Sequence, residues 1–485
     1  MPDRPNVLWI YCDELRADAL GCYAEPGGLR PRTPNIDALA NESVVYDRAY
    51  TNSPICVPSR TALLTGRLPE ETGVYANEGS APGYELPDVF STFTEAFADA
   101  GYVTASYGKE HIPEQLSPWQ VCDEQGAGRR DPFAGAIQEE MILSPERGFV
   151  IGGVTEVETL PAERITANVV KFLEEAQGPF ILRASYLQPH TPVLPPARLR
   201  REFPPHEQPG IGRGAASLSR FEQVFAEING AGGIQPEVLR RAQADYLALV
   251  AWVDEQVGIL LATLEELELD RDTIVILTSD HGAHLGETGA FGKHTFAPNS
   301  QRVPLLLRWR GHLAAGRDAS LAQSVDIGPT LAWLAGIDLP EDLSGRALTS
   351  PQPAPQHIFA TIGHGGPQSR AFPNGGTGEW EAGRGWPRRT CIRSGRWRLD
   401  MNVRIDGGVP TAAEEDIFLA DSEHDPGETR NLAGHPEHAT ICASLAALVR
   451  EHAASAVNFP SDEEIQRLQK QAIARRRAGS SVERK

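Results

Sequence analysis

Asp272–Gly282, DTIVILTSDHG, is the stretch whose reading decides the fold. Thr273 to Leu277 run without polar alternation and are mostly β-branched. A continuous run of this kind is what a strand buried on both faces looks like, the usual case in parallel sheets. The spacing predicts a strand over 273–279, and the polar Asp280-His281-Gly282 then falls just beyond its carboxyl end. Before it lies PEVLRRAQADYLALVAWVDEQVGILLATLEELE, 236–268, with apolar residues at three-to-four spacing, which predicts a long helix. A second unbroken apolar run, Val7-Leu8-Trp9-Ile10-Tyr11, starts after Pro5-Asn6 and ends at Asp13-Glu14.

The same alternation continues outward. TPNIDALANES (33–43), SRTALLTG (59–66) and DVFSTFTEAFADAG (88–101) read as helices, the last two closed by Gly66 and Gly101. YVTASYG (102–108) and PFILRASY (179–186) read as strands. Strands alternating with helices predict an α/β fold, a large mostly parallel sheet sandwiched by helices. Loops that carry function then gather at the carboxyl ends of the strands. Between 350 and 390 the chain turns rich in Pro and Gly, and RTCIRSGRWRLDMNV and EEDIFLADSEHDPGETRNLAG follow as antiparallel strands, with a helix from about Pro436. This predicts a catalytic domain over 1–355, a smaller C-terminal α+β domain over 356–460 and a basic tail over 461–485.

A chain of 485 residues has ample length for a large buried core. Its net charge of −20 argues against nucleic acid as a partner, because phosphates repel an acidic surface. The N-terminal run Val7–Cys12 is too short for a signal-peptide core, and no stretch reads as a membrane span, so a cytoplasmic protein is expected. Six cysteines are scattered without a C-x-x-C pair, which fits free thiols better than a disulfide framework or a zinc ribbon.

One of them is oddly placed. Cys56, in TNSPICVPSRTALLTGR, is bracketed by Pro54 and Pro58 in a loop that feeds a helix, four residues before Arg60. Around it the strand tips supply more polar groups. Asp13-Glu14 and Asp280-His281 fall on one sheet edge, and carboxylates with an imidazole suit a divalent cation, Ca²⁺ or Mg²⁺ by their oxygens, with room for Mn²⁺ through His281. Lys109 and His111 follow one strand, His190 follows another, and Lys293-His294 lie in GAFGKHTF. A cation, lysines and protonatable histidines around a tetrahedral anion are what sulfuryl or phosphoryl transfer requires.

With these residues in view the chain resembles the type I sulfatases, the formylglycine-dependent branch of the alkaline-phosphatase superfamily. Cys56-Val-Pro-Ser-Arg60 with Thr65-Gly66-Arg67 matches the family's C-x-P-S-R…T-G-R signature. PNVLWIYCDELRADALGCYA, TPNIDALA, GYVTASYGKEH, QPHTP, TIVILTSDHGAHLGE, GKHTFAPNSQRVPLLLR and DPGETRNLA match its other blocks in order, from about residue 5 to about 435. The resemblance implies an alkaline-phosphatase-like fold and a sulfatase acting on an aryl or carbohydrate sulfate ester. It implies oxidation of Cys56 to Cα-formylglycine by a formylglycine-generating enzyme. It implies one divalent metal, Ca²⁺ first, held by Asp13, Asp280, His281 and the modified Cys56. Glu14 stands where many members carry a second Asp, and ligates the metal or supports it from behind. Arg60 would support the hydrated aldehyde and His111 deprotonate it. Lys109 would bridge nucleophile and sulfate, His190 and Lys293 would bind sulfate oxygens, and Asn77 would contact substrate. Glu110 replaces the family's frequent Trp, which implies a different local pocket, whereas His284 and His294 are expected to be structural.

A phosphonate monoester or phosphodiester hydrolase on the same site is the alternative reading. A silent binding protein would have lost some of Cys56, Arg60, Lys109, His190 or Lys293, and all are present. The segment 363–388, with His364, Trp380 and Trp386, is the candidate selector of the leaving group, and a homo-oligomer is possible.

Overall fold

The computed structural model describes residues 4–77, 90–116, 118–124, 161–210, 218–228, 235–287, 289–363, 388–404 and 409–456. The strands are β1 (Asn6–Asp13), β2 (Val44–Tyr50), β3 (Val103–Gly108), β4 (Val121–Asp123), β5 (Phe180–Pro189), β6 (Thr273–Ser279), β7 (His284–Leu285), β8 (Phe291–Gly292), β9 (Leu305–Arg308), β10 (Gly316–Gln323), β11 (His357–Gly363), β12 (Arg388–Ser394), β13 (Trp397–Arg404) and β14 (Phe418–Asp421). The helices are α1 (Pro34–Asn41), α2 (Cys56–Thr65), α3 (Pro69–Thr72), α4 (Phe93–Asp99), α5 (Pro161–Glu175), α6 (Ala197–Arg200), α7 (Arg220–Ile228), α8 (Pro236–Glu266), α9 (Pro298–Gln301), α10 (Ile327–Ala335) and α11 (Ala439–Ala454).

The main sheet runs β10-β2-β9-β6-β1-β5-β3-β4. All neighbours are parallel except β9, which runs antiparallel to β2 and β6. Both faces of β1 are covered, which is why its sequence shows no alternation. Leu8, Ile10 and Cys12 join a core with α1, α5 and α8; Val7, Trp9 and Tyr11 join another with α2, α4 and α10. The helix α8 is long and apolar enough to cross a membrane by length and composition, which the sequence reading did not register. It packs instead in the core, where Leu247, Val250, Val253, Val257 and Leu260 are fully buried.

The register brings the strand ends together. Cys12 pairs with Ser279, so Asp13 and Asp280 leave the sheet side by side. A break in the β1–β5 register moves Asp13 opposite Pro189, next to His190. The end of β3 delivers Lys109 through Gly108, at φ +106°, where a Cβ would lie 2.0 Å from the carbonyl oxygen of Ser185; only Gly fits there.

The C-terminal strands form an antiparallel sheet, β11-β12-β13-β14. Ile392, Leu399, Met401 and Leu419 on one face pack under Cys442, Leu445, Ala446 and Val449 of α11. The other face carries Arg393 and Arg398, which reach the larger sheet's layers through Gln301, Phe296 and Glu222. No disulfide joins any of the six cysteines. His364, Trp380, Trp386 and the tail 461–485 lie outside the described residues.

Candidate active site

Cys56 opens α2 rather than preceding it. The sequence reading began this helix at Ser59; the structure begins it three residues earlier because Pro58, in the first turn, has no N–H to lose and its fixed φ suits a helix start. Ile55 before it is extended, and Gly66 at φ +67° ends the helix. All ten residues of α2 are buried. Asn77 Oδ1 accepts the Val57 N–H at 3.0 Å, and so serves the first turn of the helix that carries Cys56.

Arg60, one turn further, is fully buried and ties the strand ends to one another. Its Nε donates to Asp280 Oδ2 at 3.0 Å and its Nη2 to Asp13 Oδ2 at 3.1 Å. Its Nη1 donates to the carbonyl of Lys109 at 2.9 Å, and its plane lies 4.8 Å from the Tyr11 ring centroid. Ser59 Oγ donates to the Asp280 carbonyl at 2.7 Å. The motif residues Ser59 and Arg60 thereby fix the loops of three strands.

The Cys56 sulfur sits among cations. Lys293 Nζ is 2.8 Å away, His281 Nε2 3.3 Å and Lys109 Nζ 3.8 Å, with Asp13 Oδ1 at 3.8 Å. His111 also acts on the thiol and helps to lower its pKa. Burial alone would raise the thiol's pKa; Lys109, Lys293 and His281 outweigh it and hold it well below its ordinary value. Burial and the Cys56 charge would likewise raise Asp13, yet its carboxyl is held below the usual range by Lys109, His190 and Arg60. Lys109 also forms an ion pair with Asp13 Oδ2.

Glu14 belongs to a second group. Its Oε1 lies 2.8 Å from Lys293 Nζ and 3.4 Å from His190 Nε2, and His190 Nε2 is 3.3 Å from Lys293 Nζ. Glu14 adopts φ +62°, His111 φ +49° and His294 φ +81°, left-handed values that cost non-glycine residues about 1–3 kcal/mol each. The turn at Glu14 is held by a residue with no sequence signal. Tyr246 of α8 donates to the Glu14 carbonyl at 2.6 Å and accepts the Arg16 N–H at 3.1 Å.

Oxygens of Asp13 and Asp280, the His281 ring nitrogen and the Cys56 sulfur lie within 4.8 Å of one another and are all buried. Asp13, Glu14 and His190 form a separate group sharing Asp13. His281 Nδ1 faces the Gly282 carbonyl at 2.9 Å, so in the neutral ring, the form that would ligate a metal, the proton sits on Nδ1 and Nε2 turns its lone pair towards the group. Two carboxylates and an imidazole fit a divalent cation.

Glu110 stands where the sequence implied a different local pocket. It turns away from Cys56, into the protein, where it pairs with Arg183, accepts from Ser106 Oγ at 2.7 Å and accepts from Trp119 Nε1 at 3.2 Å. Arg183 lies over the Trp9 and Trp119 rings. His284 is buried between Thr295 Oγ1 at 2.7 Å and Asn299 Nδ2 at 3.1 Å, and burial lowers its pKa to about 3, so it is neutral.

A doubly covered sheet with carboxylates, lysines and a cysteine converging at its strand tips defines a hydrolase of the alkaline-phosphatase superfamily. The sulfatase family's sequence model matches residues 5–337, and the chain belongs to that family: it is a type I sulfatase, a sulfuric ester hydrolase. Mouse iduronate 2-sulfatase is 29% identical over 396 residues, covering 70% of each protein. Choline-sulfatase of Rhizobium meliloti is 29% identical over 475 residues, covering 92% of this chain and 85% of that one. Among solved structures, the phosphonate monoester hydrolase of Agrobacterium radiobacter superposes with a TM-score of 0.74 at 23% identity, covering 93% of this chain and 96% of that one. A protein solved with its substrate D-glucosamine-2-N,6-O-disulfate gives 0.68 at 22% identity, covering 93% and 98%. At these identities the structural likeness speaks to the fold alone.

Proposed function

We propose that this sulfatase hydrolyses an aryl or carbohydrate sulfate monoester at Cys56, converted to Cα-formylglycine, with a divalent cation beside it. The observation that carries the reading is the setting of Cys56: its sulfur is 2.8 Å from Lys293 Nζ and 3.8 Å from Lys109 Nζ, with Arg60 fixing the carboxylates alongside. A hydrated aldehyde there supplies one hydroxyl to attack sulfur and a second whose deprotonation lets sulfate leave. A cation held by Asp13, Asp280 and His281, with Ca²⁺ first and Mg²⁺ or Mn²⁺ as alternatives, supplies charge stabilisation.

The chain's own groups do the rest. Lys109 and Lys293 flank the nucleophile and neutralise the sulfate oxygens. His111 takes the proton of the second hydroxyl. We assign protonation of the departing alcohol oxygen to His190, a reading supported by its Nε2 lying beside Lys293 and Glu14.

The test is a panel of aryl sulfates, sulfated sugars and choline sulfate run beside aryl phosphonate monoesters, with mass analysis of the Cys56 peptide. The expected result is a larger kcat/KM on a sulfate and an aldehyde at residue 56. Preferential phosphonate hydrolysis, or full activity with an intact thiol, overturns the proposal.

A further inference from the structure

We propose that the chain before conversion, with Cys56 still a thiol, is a tetrahedral zinc site made by Asp13, Cys56, Asp280 and His281. This concerns the unconverted protein, and stands whether or not the proposed sulfate chemistry is correct.

The donor set is the first argument. One soft sulfur and one borderline imidazole nitrogen join two hard carboxylate oxygens, all buried. Calcium and magnesium take oxygen ligands, whereas thiolate with imidazole selects zinc. The distances are the second. Cys56 Sγ is 3.3 Å from His281 Nε2 and 3.8 Å from Asp13 Oδ1. His281 Nε2 is 3.9 Å from Asp13 Oδ1 and 3.6 Å from Asp280 Oδ1. Bonds of about 2.0–2.3 Å to a tetrahedral zinc put neighbouring ligand atoms roughly 3.3–3.6 Å apart. These four separations are within about 0.6 Å of that range, and all the ligand atoms lie within 4.8 Å of one another.

Orientation is the third. Arg60 holds Oδ2 of both aspartates, so each turns Oδ1 towards the sulfur and the imidazole. Asp280 Oδ1 is steadied by the N–H groups of Glu14 at 3.1 Å and His281 at 2.9 Å. The Gly282 carbonyl fixes the His281 ring. Such outer contacts orient ligands and tune a metal site. Lys293 Nζ, 2.8 Å from the sulfur, can keep donating to a zinc-bound thiolate. Zinc takes cysteine as thiolate, and any remaining thiol proton leaves to solvent.

Conversion replaces the soft sulfur by oxygen. The site then presents oxygens and one imidazole, a set suited to harder cations. Oxidation of a single residue would thus change which metal the protein selects, and preparations with mixed conversion would carry two metals.

The experiment uses full-length protein produced without the converting enzyme and shown by mass to keep the Cys56 thiol. It is stripped with chelator and titrated with Co²⁺, then Zn²⁺, alongside Cys56→Ser. A thiolate-to-cobalt charge-transfer band with intense tetrahedral visible bands is expected, bleached by one equivalent of Zn²⁺ and absent from Cys56→Ser. Zinc should bind the thiol protein at least about 100-fold tighter than Cys56→Ser. Should that variant fold poorly, X-ray absorption of the zinc-loaded thiol protein decides alone, through one sulfur scatterer at about 2.3 Å. Only nitrogen and oxygen scatterers, or Co²⁺ spectra the same in both proteins, overturn the inference. Sulfate-ester turnover by converted protein is read separately, so a failure here leaves the proposed function standing.

Discussion

Glu110→Gln should destabilise the protein and slow it, although the side chain points away from Cys56. Arg183 is fully buried, and the Glu110 carboxylate, 11% exposed, is its ion-pair partner. Ser106 Oγ lies 3.1 Å from Arg183 Nε, and the Trp9 and Trp119 rings stack near the guanidinium. Those rings offset about 2 kcal/mol of the charge's burial. Removing one member of a buried pair costs about 3–5 kcal/mol, and the Gln carbonyl still accepts a hydrogen bond, so about 3 kcal/mol is expected. Replacing both partners with neutral groups is far less costly, so Glu110→Gln with Arg183→Met should recover much of that loss. Urea unfolding of the two singles and the double measures the coupling, expected at about 2–3 kcal/mol. The kinetic effect follows from position. Glu110 lies between Lys109 and His111, and a displacement near 1 Å at such a site costs about 100-fold in rate. The loss should fall on kcat more than on KM. A Glu110→Gln protein within about 0.5 kcal/mol of the parent, with strictly additive singles, refutes the reasoning.

Lys109→Ala and Lys293→Ala should each lower kcat/KM by about 10²–10³ with the fold retained by circular dichroism; near-normal turnover would remove that lysine from the chemistry. Chelation should abolish turnover and lower the melting temperature, with about 2.7 kcal/mol of stabilisation restored when the working cation is present at 100 times its Kd. Acid should loosen the protein through His284. Its folded pKa lies near 3, below the 6.5 of the free side chain, so its stabilisation is whole above 6.5 and is lost as pH falls towards 3. The slope is about 1.4 kcal/mol per pH unit. Urea midpoints between pH 6.5 and 4.5 should fall less steeply in His284→Gln, and parallel slopes would show that His284 does not titrate this way.

How much of this was legible depended on whether local chemistry or distant packing set each feature. The strand over 273–279 could be read to the residue because both its faces are buried and a polar loop stops it. The strand tips bearing Asp13, Lys109, His190 and Asp280 followed from the alternation of strands and helices. The direction of β9 did not, since Leu305-Leu306-Leu307 is a three-residue apolar run that reads the same in either orientation. The start of α2 was missed because Pro58 reads as a turn until its place in the first helical turn is known. The Glu110 orientation and the Tyr246 anchor depend on groups 73 and 232 residues away in sequence, and no local pattern encodes such partners.

A further set of distant contacts ties the C-terminal sheet to the site. Every candidate catalytic and metal-binding residue lies before Ala297, yet the segment that follows Lys293 is held from beyond 388. Arg393 of β12 donates to the Phe296 carbonyl at 2.8 Å and to Gln301 Oε1 at 2.7 Å. Glu428 pairs with the same guanidinium. On the other side, the Gly282 N–H donates to the Ser300 carbonyl at 2.8 Å, and a Cβ on Gly282 would stand 2.1 Å from the Asn299 carbonyl oxygen. The loop after β6, with Asp280 and His281, therefore lies backbone against backbone on the segment that follows Lys293. Arg393 grips that segment from the far sheet while Arg60 grips the aspartates from α2. Between them lies the 2.8 Å contact of Lys293 with Cys56, with Glu14 also 2.8 Å from the same ammonium. The smaller sheet is thus tied to the segment that follows Lys293.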